Sequence, residues 1–473
     1  MDAARDCQRS PSEPALDALV IVPPFVKSSG GPPLGPAMLR GAALRAGFRV
    51  EVLDLAIEAT TSIVPADELR RGIGLAGDHD KNEGALRDAQ RRFFEPVARA
   101  TGLSVTDLTC CRLSWAELDR AVEALAAAPW AVDLHARFEA LAAPRVVGVS
   151  VMFSDQVLAG LVAARAARRM WPSVPIVWGG AHVTALAPEL AADARYGRGI
   201  DGFVAGYAEQ TFVELLAAVR DGRPWPAEAF VAGSGAWQRA RGAIETTPSF
   251  PTLSAYGAPR LTLPVQVTRG CAYGLCGFCT YPFVEGASVE PRTLDHVEQV
   301  VALAAELRAV VSFKDALMTG PYLRRMAALI GGRARWSACS KVTPALVELL
   351  PALAASGCET LEVGIETLVE RSQLVIEKKV TRRLVDALLR AARAAGVGIV
   401  VNYMTGLPLE SPRDAADCYR WIKALAAETG AVVEHHEFEA ERRAKLVTQL
   451  RVTATWPWSS VVAWERMVAT EAA

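Results

Sequence analysis

Apolar runs and polar interruptions alternate along the 473-residue chain in a strand–helix rhythm that occurs twice. The first series opens with the short run Leu19-Val20-Ile21-Val22, broken by Pro23-Pro24. A Gly/Pro loop (Ser28-Ser29-Gly30-Gly31-Pro32-Pro33) leads into helical spacing from Leu34 to Ala46. Gly47 ends that helix, and Phe48 to Leu53 reads as a second strand stopping at Asp54. After a polar, helically patterned stretch the rhythm resumes. Val146 to Ser150 is a strand, Val157 to Met170 a helix, and Pro175 to Trp178 a strand stopped by Gly179-Gly180. Asp201 to Ala205 is another strand, followed by Gly206 and a helix through Val219. Five such strands predict an open, doubly wound, Rossmann-like sheet. Its ligands would lie at the carboxyl ends of the strands, where the Gly turns let backbone approach closely.

Residues 222–258 are rich in Pro, Gly and Ser and read as a linker. A second series follows, with strands over 261–268, 308–313, 333–339, 359–364, 397–403 and 430–434. Helices are predicted over 293–306, 321–330, 344–356, 381–395 and 412–427. Six βα units predict a partial (βα)6 barrel with its site at the carboxyl ends of the strands. The fold class is therefore α/β. The expected layout is a disordered N-terminus (1–15) and a doubly wound domain (16–221), the latter interrupted by a helical insertion at about 58–143 that is read as a substrate-facing cap. The linker (222–258), the barrel (259–435) and a short C-terminal helix and tail (436–473) complete it. That helix is placed at Glu437 to Leu450, before a Trp-rich end; this C-terminus either closes the open face of the barrel or reflects loss of the usual substrate-binding extension.

Charge changes this picture little. Lys plus Arg number 51 and Asp plus Glu 52, so no net field draws the chain to nucleic acid or to an anionic membrane. The N-terminus is polar, and the apolar stretch Ala18 to Val22 falls far short of the roughly 20 residues that span a bilayer. A cytoplasmic protein without nucleic-acid or membrane partners is expected. Of nine Cys, six (Cys7, Cys110, Cys111, Cys339, Cys358, Cys418) are scattered and read as incidental thiols.

The other three carry the chemistry. In Arg269-Gly270-Cys271-Ala272-Tyr273-Gly274-Leu275-Cys276-Gly277-Phe278-Cys279, three thiols fall within nine residues, in a Gly-punctuated loop directly after the first barrel strand. Thiolates suit soft iron sites, and such a loop can wrap one iron–sulfur cube. Three ligands for four irons leave one iron free to bind a small molecule. Structural zinc is the alternative, but it needs four ligands, and the next candidate, His296, lies beyond a helix start.

This loop resembles that of the radical S-adenosylmethionine (SAM) superfamily, in which it follows the first strand of a six-unit barrel. The usual intervals between the thiols are three and two residues; here they are four and two, a variant similar to that of cobalamin-dependent members. The resemblance implies a [4Fe–4S] cluster on Cys271, Cys276 and Cys279, with SAM on the open iron and Phe278 beside its adenine. Val311-Ser312-Phe313-Lys314-Asp315 resembles the second-strand motif and implicates Asp315, although Lys314 departs from an acidic residue often found there. Glu362-Val363-Gly364-Ile365-Glu366-Thr367 resembles the fourth-strand motif, whose Glu, here Glu366, contacts SAM. Asn402-Tyr403-Met404-Thr405-Gly406-Leu407-Pro408 resembles the fifth-strand motif near the adenine and implicates Asn402 and Gly406. Lys341 is either a partner of the SAM carboxylate or a solvated lysine.

The first sheet resembles the cobalamin-binding domains attached to these barrels. Pro24 with the Gly-Pro loop, Ser150, Gly179-Gly180-Ala181-His182 and Gly206-Tyr207-Ala208-Glu209 match its turns in order. The last departs from the family's Gly-Glu-Gly-Glu at two places. Cobalamin contacts are thereby implied for Pro24, Ser150, Gly179, Gly180, His182, Gly206 and Glu209. The Asp-x-His-x-x-Gly cobalt-ligating motif is missing, and Asp133-Leu134-His135 lacks its Gly.

What the joint resemblance implies is a C-methyltransferase. A 5′-deoxyadenosyl radical would take hydrogen from a natural-product intermediate or peptide, and methylcobalamin would deliver the methyl. An external electron donor such as flavodoxin or ferredoxin would reduce the cluster. Cyclisation, oxidation or rearrangement without methyl transfer, and a non-catalytic corrinoid or cluster sensor, are the alternatives.

Overall fold

A computed structural model describes residues 16–25, 30–65, 68, 79–256, 260–449 and 456–463; the expected disordered N-terminus lies outside these. The first sheet holds β1 (Leu16–Val22), β2 (Val50–Asp54), β3 (Pro144–Ser150), β4 (Ile176–Gly179), β5 (Gly202–Val204) and β6 (Ala229–Phe230), in the order β2-β1-β3-β4-β5-β6. The first five are parallel. Their near-continuous apolar sequences follow from burial on both faces. The order reverses between β1 and β3, and at such a switch point the following loops diverge and leave a crevice. One correction concerns the stretch read as a linker, because β6 lies within it and pairs antiparallel with β5.

The insertion is helical, with helices His79–Thr101, Val105–Thr109, Trp115–Ala126 and Pro129–Glu139. Ser114 starts the third with a capping box closed by Glu117. Leu118, Val122 and Leu125 share one core with Leu19, Ile21 and Val149 of the sheet and Leu158 of helix Val157–Met170. The insertion is thus first of all a wall of the N-terminal domain.

The second sheet is parallel throughout, in the order β14-β13-β12-β11-β10-β7, from β7 (Thr262–Val265), β10 (Val310–Phe313), β11 (Arg335–Ser340), β12 (Cys358–Glu366), β13 (Gly398–Thr405) and β14 (Val432–Glu437). The range 261–268 divides into β7 and β8 (Thr268–Arg269), and β8 pairs with β9 (Glu290–Pro291). Alternation sorts the faces. On β12, Leu361, Val363 and Ile365 are buried in the core, while Glu362 and Gly364 face the other way.

The end of the chain departs most from expectation. The expected helix from Glu437 to Leu450 reduces, among described residues, to Lys445–Gln449, because Val432–Glu437 is strand. The Trp-rich end docks on the first domain. Trp458 is fully buried, with its ring centroid 5.4 Å from Trp178 and 4.9 Å from Tyr196. Gly160 makes room beneath Trp178, since a Cβ there would lie 2.9 Å from the indole. Trp458→Ala is expected to cost about 3–5 kcal/mol, the range for emptying a buried large aromatic site, read as a lower denaturant midpoint.

Candidate active site between the two sheets

The carboxyl edges of the two sheets face each other. Glu209, just after β5, pairs with Arg269 at 2.8 Å. Arg239 donates to the Val284 carbonyl at 3.0 Å, beyond the cysteine loop. Arg443 donates to the Ala185 carbonyl at 3.0 Å on helix Ala181–Ala192, and its guanidinium lies 5.4 Å from the Phe283 ring. Three large apolar side chains stay open to solvent in the loops at these edges: Phe153 after β3, and Leu275 and Tyr281 in and beyond the cysteine loop.

The loop is held from several sides. Gly270 has φ 77°, and a Cβ there would strike the Ser288 carbonyl. Gly277 donates to Ile376 O at 3.0 Å and accepts from Leu446 N at 2.7 Å. Burial raises the Cys276 thiol against the pull of Lys378, and pushes Cys279 up to about 12. A charge on Cys271, the first thiol of the same loop, would raise both further. Among described residues no three His, Cys, Asp or Glu converge on a point suited to one metal ion. A cube gives each thiolate its own iron, so its ligands need not converge. Coordination would also remove the thiol protons that burial retains. The donor set therefore fits a cluster.

Around the thiols lie the expected SAM contacts. Glu366 has φ 65° beyond a register shift in β12, which turns its carboxylate towards Lys378 at 2.8 Å. A Cβ on Gly364 would collide with that carboxylate and stand 2.7 Å from the Lys378 ammonium. Burial disfavours the Lys378 charge, but Glu366 and the neighbouring thiols outweigh it and raise its pKa. Lys378 also lies 5.8 Å from the Phe278 ring. Lys341 sits 3.0 Å from the Tyr273 ring centroid, and burial lowers its pKa to about 8. Asn402 donates to Glu362 at 2.7 Å. Gly406, with φ 82°, donates to Glu410 at 2.6 Å, and Glu410 also accepts from Thr367 at 2.8 Å.

Asp315 takes a different place from the one expected. Its carboxylate accepts from the Val267 and Thr268 amides and the Thr268 hydroxyl, so it anchors the strand ahead of the loop. Lys378, Glu362 and Glu410 escaped the sequence reading. Glu362 stood in a quoted motif, whereas nothing local marks Lys378, which the turn after helix Glu370–Val375 brings back.

On the cobalamin side, Pro24 lies two residues beyond β1 and Ser150 ends β3 at the switch point, and Ser150 is the register partner of Gly179. Gly180 has φ 106°, and a Cβ would strike the Val151 carbonyl. Gly206, with φ 101°, donates to Thr184 Oγ1 at 2.8 Å. Two expected contacts serve protein partners instead. His182 Nε2 donates to Trp458 O at 2.9 Å, and Glu209 is tied to Arg269. His135 is exposed in helix Pro129–Glu139, 3.5 Å from Glu139. Close backbone at the Gly turns and an exposed Phe153 beside the switch point fit a broad, flat macrocycle approached face-on.

Residues 97–216 match the B12 binding domain family and residues 265–422 the radical SAM superfamily, together more than half of the chain. The chain joins a B12-binding domain to a radical SAM domain. The two matched families imply cobalamin, a [4Fe–4S] cluster and SAM as its cofactors. The radical SAM methyltransferase TsrM from Kitasatospora setae, with cobalamin and [4Fe–4S] cluster bound, shares the fold at TM-score 0.62 and 19% identity, over 93% of this chain and 76% of TsrM. OxsB, a cobalamin-dependent S-adenosylmethionine radical enzyme, shares it at TM-score 0.65 and 11% identity, over 96% of this chain and 65% of OxsB. The uncharacterized methyltransferase PH0819 of Pyrococcus horikoshii is 25% identical over 307 residues, 60% of this chain and 64% of that protein. No helix among described residues is long and apolar enough to cross a membrane.

One prediction follows from the docked tail. Burial lowers the His182 pKa to about 4, with Arg442 nearby adding to the effect. His296, which donates to Gln266 O at 2.8 Å, is also lowered by burial to about 4. Each ring binds a proton more weakly folded than unfolded. Stability is therefore complete above about pH 6.5 and falls between there and about pH 4, by roughly 1.4 kcal/mol per pH unit for each ring. Denaturant midpoints measured against pH should show this slope, and His182→Gln, whose amide still donates, should roughly halve it, leaving the His296 contribution.

Proposed function

We propose that this enzyme is a cobalamin-dependent radical SAM methyltransferase that methylates a carbon of a natural-product intermediate or a peptide. The observation that carries the reading is the juxtaposition of the cysteine loop and the Gly turns of the B12-binding sheet on facing edges. A substrate held there would meet both cofactors. The names of TsrM and PH0819 support methyl transfer over other outcomes. When bound, the cluster with SAM supplies a carbon-centred radical and cobalamin a transferable methyl group.

The chain's own residues hold and position. Cys271, Cys276 and Cys279 would hold three irons. Glu366, Lys378 and Lys341 present one carboxylate and two ammonium groups beside them, suited to the charged amino-acid end of SAM. Glu362 and Asn402, on the face of the barrel strands away from the core, offer an acceptor and an amide to a substrate's polar groups. The packed tail lies against the first domain beside this space, whose edges stay open to solvent at Phe153, Leu275 and Tyr281. The electron donor is read as an external flavodoxin or ferredoxin.

The test uses anaerobically reconstituted protein, a reductant and SAM labelled in its methyl group, with candidate peptides and small molecules. The reading expects label in the product and release of 5′-deoxyadenosine. Release without label would replace it with a rearrangement, cyclisation or oxidation, and neither would leave a sensor. Cys276→Ala is expected to abolish both signals. Gly364→Ala should weaken SAM binding several-fold while leaving cluster iron in place, because its methyl pries Glu366 from Lys378; equilibrium dialysis with SAM measures it.

A further inference from the structure

We infer that Glu209 is a positioning residue for the cysteine loop, acting through Arg269, and not a corrinoid contact. This rests on the reading that the loop holds the cluster. Arg269 ends β8, two residues before Cys271. Its side chain and that of Glu209 are 3% and 4% exposed, with nitrogen and oxygen 2.8 Å apart. The guanidinium lies 4.2 Å from the Tyr207 ring centroid and donates to Ala243 O at 3.3 Å. Glu209 also accepts from the Ala243 amide at 3.2 Å. The pair fits because residue 242 is glycine, since a Cβ there would collide with the guanidinium and stand 2.9 Å from the carboxylate.

The far side of the loop is tied to the same turn. The Tyr207 hydroxyl donates to Glu285, and Gln266 donates to the Tyr207 oxygen at 3.0 Å. Residues 269 and 285 bracket the three thiols, and both are fastened to the stretch 207–209 of the B12-binding domain. A buried pair is weak evidence for net stability, but a lone buried charge is strongly unfavourable. The interaction therefore fixes one arrangement of loop against domain, where a slack contact would not.

The experiment compares the full-length wild type, Glu209→Gln and Gly242→Ala. Gly242→Ala changes no charge and wedges the pair apart. Each protein is reconstituted with iron and sulfide, assayed for both per chain, and examined by electron paramagnetic resonance after reduction. Hydroxocobalamin uptake is titrated separately by absorbance, and circular dichroism reports the fold. Expected are a several-fold fall in cluster iron and a broadened or shifted signal in both variants, with cobalamin uptake unchanged. Variants that load and resonate like wild type overturn the inference. So do variants that lose cobalamin while keeping a full cluster, the result for a corrinoid contact. Should Glu209→Gln fail to fold, Gly242→Ala decides alone. A wild type that takes up no iron and sulfide fails earlier, and defeats the cluster reading along with the inference.

Discussion

Parallel strands deliver every ligand-facing loop to one edge of a sheet, and here two such edges are set against each other. That arrangement depends on buried polar contacts as well as on apolar packing. The two large cores are separate, one gathering the first sheet with its insertion and the other the barrel with its helices. Between them lie Glu209 with Arg269, and Tyr207 with Glu285 and Gln266. Hydrogen bonds and ion pairs are directional, so they fix orientation in a way that an apolar seam does not.

The C-terminal segment adds a third tie. Glu441 bridges Val461 and accepts from Thr280 at 3.1 Å, next to Cys279, while burial raises its pKa. Arg442 donates to Ser459 O at 2.7 Å and reaches Glu189 at 3.0 Å. Tyr196 donates to Pro457 O at 2.7 Å. One stretch of chain thus runs from β14, past the cysteine loop, to the edge of the B12-binding sheet.

Much of this was legible in the sequence, because apolar periodicity reports local burial. Strands such as Pro144–Ser150 and helices such as Val157–Met170 arise from runs whose own residues decide them. The cysteine loop was legible because its chemistry is contained in nine consecutive residues. What escaped depends on partners far along the chain. Trp458 reads as part of a Trp-rich end with no assigned partner until Trp178 and Tyr196 surround it, and Ala229–Phe230 becomes strand only through pairing with β5. Glu209 resembled a corrinoid contact, and the buried guanidinium it meets is 60 residues away. Lys378 owes its place to a turn and to the absence of a side chain at Gly364.

The central claim is that Cys271, Cys276 and Cys279 hold a cube with one iron left for SAM. Electron paramagnetic resonance of the reduced, reconstituted protein, recorded with and without SAM, tests it most directly. The account predicts a [4Fe–4S] signal that shifts when SAM is added. A protein without iron and sulfide, or a cluster signal indifferent to SAM, would contradict it.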